Sequence, residues 1–98
     1  MNPQIRNIAE LDRVIHEPGR LMIVALLSAV ARADFLYLQH ETGINKGTLS
    51  SHLSRLEEAG YITVIKTYRG KLPQTLLSLT TTGRKAFEQY RKKLKEAL

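Results

Sequence analysis

The sequence predicts one α+β domain that is mostly α-helical. Three observations support this fold class. Apolar residues recur at helical spacing up to residue 60, they alternate with polar residues over 61–79, and a helical stripe returns over 81–97. The predicted order is helix, helix, short strand, helix, helix, strand, strand, helix, and 98 residues suffice for one modest core.

The first three helices follow from apolar spacing and from breaker residues. Apolar spacing predicts a first helix over about 5–16. Pro18 fits the first turn of a second helix, which we expect to run to about Arg32. This apolar helix is too short to span a membrane, which needs about 20 residues, so we expect it in the core and expect no membrane partner. A third helix, "FLYLQHET", ends at Gly43.

The fourth helix is predicted to begin after Asn45, its N-cap, and to end at Gly60. Its buried face is predicted by leucines at i, i+4 and i+7, namely Leu49, Leu53 and Leu56. Together with the third helix it forms a helix-turn-helix over about 35–59.

A β-hairpin, or wing, is predicted over about 61–79. Its first strand is rich in β-branched and aromatic residues. Gly70 can adopt the positive φ of a turn, and Pro73 is expected to limit pairing, so the return strand is placed at Gln74–Leu79. A last helix over about 81–97 carries an apolar stripe.

The charge distribution points to a polyanionic partner. The formal net charge is +6, and residues 61–98 hold nine Lys or Arg and only two Glu. Such a surplus favours nucleic acid over a membrane or an acidic protein, with a merely solvated face as the alternative. The absence of cysteine excludes disulfides and thiolate metal sites and fits a cytoplasmic location.

The first turns of the fourth helix carry unusually small side chains. They include Gly47, Thr48, Ser50 and Ser51, although a glycine costs roughly 1 kcal/mol against alanine in a helix. Small side chains let a helix approach the base edges of a DNA major groove about 12 Å wide, and hydroxyls can bind bases or phosphates. The alternative is a first turn rich in capping hydroxyls.

The tip of the hairpin carries two cations. Arg69 and Lys71 flank Gly70, and arginine is favoured in narrow minor grooves, where the negative potential is strongest. The alternative is a charged edge that prevents sheet-to-sheet aggregation. The occurrence of this tip after a helix-turn-helix favours DNA.

No arrangement of residues typical of an enzyme or a metal site is present. The three histidines, His16, His40 and His52, lack metal-ligand spacing, and no nucleophile–base pair or phosphate loop is found. We therefore expect no enzyme, no metal and no cofactor. For His52, contact with a DNA phosphate and packing against a neighbouring helix both remain open.

Three segments carry a family resemblance: "HEPGRLMIVALL", "LQHETGINKGTLSSHLSRLEEAGYITVIK" and "YRGKLPQTLLSLTTTGRKAFEQY". They resemble winged helix-turn-helix transcriptional regulators of the MarR/ArsR-like superfamily, in particular a group of small stand-alone winged helix DNA-binding domains. The resemblance implies a homodimer on a pseudo-palindromic operator. It also implies DNA contacts from the recognition helix (Asn45, Lys46, Thr48, Ser50, Ser51 and Arg55) and from the wing (Arg69 and Lys71). A small-molecule effector does not follow from it.

Apolar stripes near both termini predict where such a dimer forms. The stripes comprise Ile5, Ile8 and Leu11 at one end, and Phe87, Tyr90 and Leu94 at the other. A domain this small has little interior to bury both, so we expect N- and C-terminal dimerisation helices, the alternative being that both ends fold back on their own domain. The sequence thus predicts a dimeric, sequence-specific regulator that binds double-stranded DNA. The alternative is a protein-interaction or RNA-binding module.

Overall fold

The structure, a computed structural model, describes residues 3–98. A 3₁₀ helix, Pro3–Glu10, precedes four α-helices: α1 (Pro18–Ser28), α2 (Phe35–Thr42), α3 (Lys46–Glu58) and α4 (Thr81–Ala97). Three strands complete the fold: β1 (Ala33–Asp34), β2 (Ile62–Arg69) and β3 (Leu72–Leu79). This is the predicted order of elements. None of the helices in this part of the chain is long and apolar enough to cross a membrane.

The boundaries of the helix-turn-helix agree with the sequence. α2 ends at Gly43, whose φ of +69° is easily adopted only by glycine. Asn45 caps α3 by accepting a hydrogen bond from the Thr48 amide at 2.9 Å. At the other end Gly60 has a φ of +78°, and the Tyr61 amide donates to the Leu56 carbonyl. These caps fix where α3 starts and stops.

The first two predicted helices are both too long. The 3₁₀ helix ends at Glu10 because Asp12 Oδ1 accepts hydrogen bonds from the Val14 and Ile15 amides, a local turn that competes with a continuous helix. α1 ends at Ser28 rather than near Arg32. There the Arg84 guanidinium donates to the Ser28 and Val30 carbonyls at 3.4 Å each, so a distant side chain binds the carbonyls at the end of this helix.

The sheet is antiparallel with the strand order β1-β3-β2. Pro73 lies within β3, opposite Tyr68, so the predicted break at this proline is wrong. The strand tolerates it because β1 pairs only with Leu76 and Leu77, and this end of β3 therefore has a single neighbouring strand. The two-residue loop between the strands begins at Gly70, which has a φ of +64°.

Two apolar clusters form the interior. The main cluster joins α1, α2, α3 and the sheet, and its buried members are Ile23, Val24, Leu27, Leu38, Leu49, Leu53, Leu56, Ile62, Leu77 and Leu79. The second cluster has Leu11, Ile15 and Tyr90 at its centre. Tyr61 and Phe87 pack against both clusters and so connect them.

The terminal stripes pack largely on each other within one chain. Leu11 and Tyr90 are only 3% exposed, so the expectation that the domain has too little interior to bury both stripes is wrong for these two side chains. Ile8, Phe87 and Leu94 are partly buried around them. Ile5, by contrast, is 51% exposed. The predicted dimer residues therefore divide into an intrachain group and a group that still presents apolar surface.

Candidate DNA-binding surface

α3 directs its leucines into the core and its small polar residues outward. Each of the three leucines is at most 6% exposed. All predicted recognition-helix residues are exposed, namely Asn45, Lys46, Thr48, Ser50, Ser51 and Arg55. Because Asn45 Oδ1 already caps the helix, its amide nitrogen is the atom left for a ligand. The face consists of hydroxyls and a glycine, with cations beside them.

A groove of about 610 Å³ separates α2 and α3 from the hairpin. Three of the predicted DNA-binding residues, Lys46, Ser50 and Arg69, lie along it together. The groove also brings in Lys66, which sequence reasoning missed. The period of β2 contained the signal, since Lys66 is two residues beyond Val64 and so shares the inward face where the core has ended.

Two exposed leucines also lie along this groove. Leu36 of α2 is 72% exposed and Leu72 of β3 is 70% exposed. Among the acidic groups of the groove, Asp34 is already engaged, because it accepts hydrogen bonds from the Tyr37 amide and from Gln74 Nε2. The groove is thus a mixed surface of cations, hydroxyls and aliphatic carbon, with the exposed carboxylate of Glu57 on its α3 side. The cations, hydroxyls and aliphatic carbon suit a sugar–phosphate strand, whereas Glu57 opposes one.

The wing tip is open and unpaired. Arg69 and Lys71 are both exposed, and no carboxylate lies within 4 Å of either cation in residues 3–98. Their charges are therefore available to a ligand. Lys71 lies outside the groove, as do Thr48, Ser51 and Arg55.

The opposite flank of α3 contacts the start of α1. His52 Nδ1 lies 3.2 Å from Arg20 Nη1, and His52 Nε2 lies 3.7 Å from Glu17 Oε1. The side chain is only 15% exposed, so packing rather than phosphate contact explains this histidine. Burial tends to raise the pKa of Glu17, but the hydrogen bond from the Arg20 amide and the positive charge of the Arg20 side chain outweigh it and lower that pKa.

A second polar cluster lies beneath α4, away from α3. The Tyr61 hydroxyl donates to Asp12 Oδ2, and the Tyr90 hydroxyl lies 2.8 Å from His16 Nδ1. Burial, the bond to Asp12 and the charge of that carboxylate raise the pKa of Tyr61 to about 12. Burial also raises the pKa of Tyr90. These bonds hold the N-terminal segment against Tyr61, just before β2, and against α4.

The fold and this surface together define a winged helix-turn-helix protein. A family model described as "Winged helix DNA-binding domain" matches residues 20–98. An uncharacterized protein of Methanocaldococcus jannaschii is 31% identical over 78 residues, which cover 80% of this chain and 85% of that protein. The chain therefore belongs to the winged helix DNA-binding domain family.

Solved structures agree with this assignment. The transcriptional regulator homologue protein from Pyrococcus horikoshii OT3 is similar with a TM-score of 0.85 and 25% identity, over 92% of this chain and 91% of that one. A MarR-family regulator from Silicibacter pomeroyi shares the fold, with a TM-score of 0.68 and 19% identity over 98% of this chain and 62% of its own. The predicted fold class is confirmed, the MarR-family regulator shares that fold, and the family model makes this chain a DNA-binding domain by class.

Proposed function

We propose that this protein is a sequence-specific transcriptional regulator that binds a pseudo-palindromic duplex as a homodimer. The observation that carries the proposal is the outward face of α3, which is exposed, has small side chains and is rich in hydroxyls. A helix of this kind can approach base edges closely, and its hydroxyls can bind either bases or phosphates.

The proposed roles divide into base reading and backbone binding. Thr48, Ser50 and Ser51 read base edges. Two kinds of group hold phosphates. One is the side-chain amide nitrogen of Asn45, and the other is the set of cations Lys46, Arg55, Arg69 and Lys71. Leu36 and Leu72 support this assignment, since exposed aliphatic carbon at the groove can contact sugars and thymine methyl groups.

A homodimer explains the apolar surface that the two ends of the chain leave uncovered. Ile5 is half exposed, and Ile8, Phe87 and Leu94 are partly exposed around the intrachain pair of Leu11 and Tyr90. Pairing of this surface about a two-fold axis would set two recognition helices about 34 Å apart, one turn of DNA. In this proposal Leu11 and Tyr90 support the interface from beneath rather than form its surface.

Selection from a random duplex pool tests DNA reading. We expect an enriched motif with two-fold symmetry, bound with a steep salt dependence, and weaker binding to single-stranded or duplex RNA of the same sequence. Equal binding of all duplexes, or tighter binding of RNA, would contradict the proposal. Absence of nucleic-acid binding at low salt would favour the protein-interaction alternative.

Sedimentation equilibrium, with and without the selected duplex, tests the dimer. We expect a dimer that Ile5→Glu with Leu94→Glu dissociates, because both changes put charge into the apolar surface. The variant should lose operator affinity far more than affinity for random duplex. Ala25→Glu with Ala31→Glu, at two exposed positions outside the stripes, makes the same change in net charge and is the control. A wild-type chain that stays monomeric on its best site would exclude the dimer.

A further inference from the structure

The two flanks of the recognition helix differ in what they contact. On one flank the groove separates α3 from the hairpin, whereas on the other flank His52 contacts Glu17 and Arg20 directly. His52 follows Thr48 by one helical turn, so the two side chains share this flank. A contact at His52 therefore acts on the part of the helix that faces the proposed ligand.

Hydrogen-bond chemistry fixes the state of the His52 ring. A guanidinium has donors and no acceptor, so His52 Nδ1 must accept from Arg20 and the ring proton must lie on Nε2, directed toward Glu17. Both partners are themselves anchored. Arg20 Nε donates to the Val14 carbonyl at 2.5 Å, and Glu17 Oε1 accepts from the Arg20 amide at 2.7 Å.

Gly19 makes this arrangement possible. A Cβ atom at this position would lie 2.6 Å from His52 Nε2 and 2.9 Å from its Cδ2. No side chain fits there while the ring stays in place. The imidazole is thus held at both nitrogens and along one edge by the first turn of α1.

We propose that His52 is a positioning residue for DNA reading: its hydrogen bond to Arg20 and its contact with Glu17 set the rotation of α3 about its own axis, and hence the placement of Thr48 and Ser51. The leucines of α3 hold the helix to the core, but apolar contact is non-directional and tolerates small rotations. Hydrogen bonds are directional, and sites require placement within about 0.5 Å and 10–20°. The inference rests on the proposed function.

The first test separates positioning from packing through two variants of the full chain. His52→Leu keeps apolar packing and removes the acceptor, so we expect the ratio of operator to random-duplex affinity to fall about tenfold, the effect of one lost base contact. His52→Asn places Oδ1 where Nδ1 was, and we expect it to restore the ratio to within about threefold of wild type. A folded His52→Leu variant with the wild-type ratio overturns the proposal, and so does a His52→Asn variant that discriminates no better than His52→Leu.

The second test uses Gly19→Ala, whose Cβ clashes with the His52 ring, and it needs no identified operator. In the wild-type background the added Cβ must displace the His52 ring, and we expect this change to lower the denaturation midpoint. In a His52→Ala background the clash is absent, and we expect the same change to be neutral or stabilising. Equal effects in the two backgrounds overturn the proposal.

Nitrogen NMR of the free protein provides an independent measurement. We expect the His52 tautomer with its proton on Nε2, and a proton on Nδ1 would contradict the contact with Arg20. If the wild-type protein selects no sequence, the proposed function fails. If it selects a sequence but the His52→Leu variant discriminates equally well, only the positioning role fails.

Discussion

α3 and α4 are both amphipathic helices with a capped start, yet their outward faces are opposite in character. α4 carries six of the nine cations of the C-terminal region: Arg84, Lys85, Arg91, Lys92, Lys93 and Lys95. α3 carries two, Lys46 and Arg55, beside hydroxyls and a glycine. On α4 the long side chains stand away from the backbone, and Glu88 and Glu96 interrupt the positive charge.

Charge alone therefore does not locate a DNA-reading surface. The number of cations favours α4 as the DNA-reading surface, whereas the small side chains of α3 and the groove beside it favour α3. Base edges lie at the floor of a groove, and long solvated side chains would keep a backbone away from them. Two comparisons between these helices, and a third between the wing and α4, test this reading.

The largest expected effect comes from one negative charge added to α3, with one negative charge added to α4 as the control. Ser51→Glu places a carboxylate on the proposed reading face, and we expect affinity for any duplex to fall about 100-fold or more, since like charges in contact cost several kcal/mol. Gln89→Glu changes the net charge equally on an exposed position of α4, and we expect a change of less than about threefold. Fluorescence anisotropy with labelled duplex measures both. Similar losses in the two variants would remove the special role of α3.

The next comparison concerns one glycine on each helix. A Cβ at Gly83 would lie 2.1 Å from the Tyr61 carbonyl oxygen, so we expect Gly83→Ala to lower the free energy of unfolding by about 3 kcal/mol. At Gly47 the nearest atom would be Asn45 Oδ1 at 3.7 Å, so Gly47→Ala should stabilise the fold by about 0.5–1 kcal/mol while weakening DNA binding.

Urea denaturation and duplex titration measure the two glycine variants. The α4 glycine is then required for packing, and the α3 glycine is dispensable for the fold but useful for close approach. A Gly83→Ala variant as stable as wild type, or a Gly47→Ala variant that binds DNA normally, contradicts this distinction.

Local signals explain which parts of the fold were predictable. The caps at Asn45, Gly43 and Gly60 depend on neighbours a few residues away, so sequence reasoning placed α2 and α3 correctly. The end of α1 depends on Arg84, which is 56 residues distant from Ser28, and no local pattern could reveal it. The burial of Leu11 against Tyr90 likewise required the tertiary structure.

The candidate site divides in the same way. Helical period alone predicted which side of α3 faces solvent, because one buried stripe determines the opposite face. The groove required the hairpin to be placed beside α2, so Leu36 and Lys66 were missed. The role of His52 required the contact with Arg20 and Glu17, which come from a different helix.

A smaller effect is expected at the wing. Arg69→Ala with Lys71→Ala should weaken binding to specific and random duplex about equally, roughly tenfold, and flatten the log–log salt slope by up to about two units. Lys85→Ala with Lys92→Ala removes the same charge from α4 and should leave the slope unchanged. Binding titrations at several salt concentrations decide the outcome. An unchanged slope in the folded wing variant excludes the wing, and equal flattening in the control brings α4 into the interface.

The smallest expected effect is at Tyr61, which connects the cluster beneath α4 to the main core. Tyr61→Phe removes the bond to Asp12, and we expect it to cost about 1 kcal/mol at neutral pH. Because the folded-state pKa is raised to about 12, above the ordinary value of 10.0, this stabilisation is fully present below pH 10 and is lost as the pH rises toward 12. Urea denaturation at intervals from pH 7 to pH 12 should therefore show the difference between the two proteins shrinking in that window, and a constant difference would mean that the hydroxyl titrates normally.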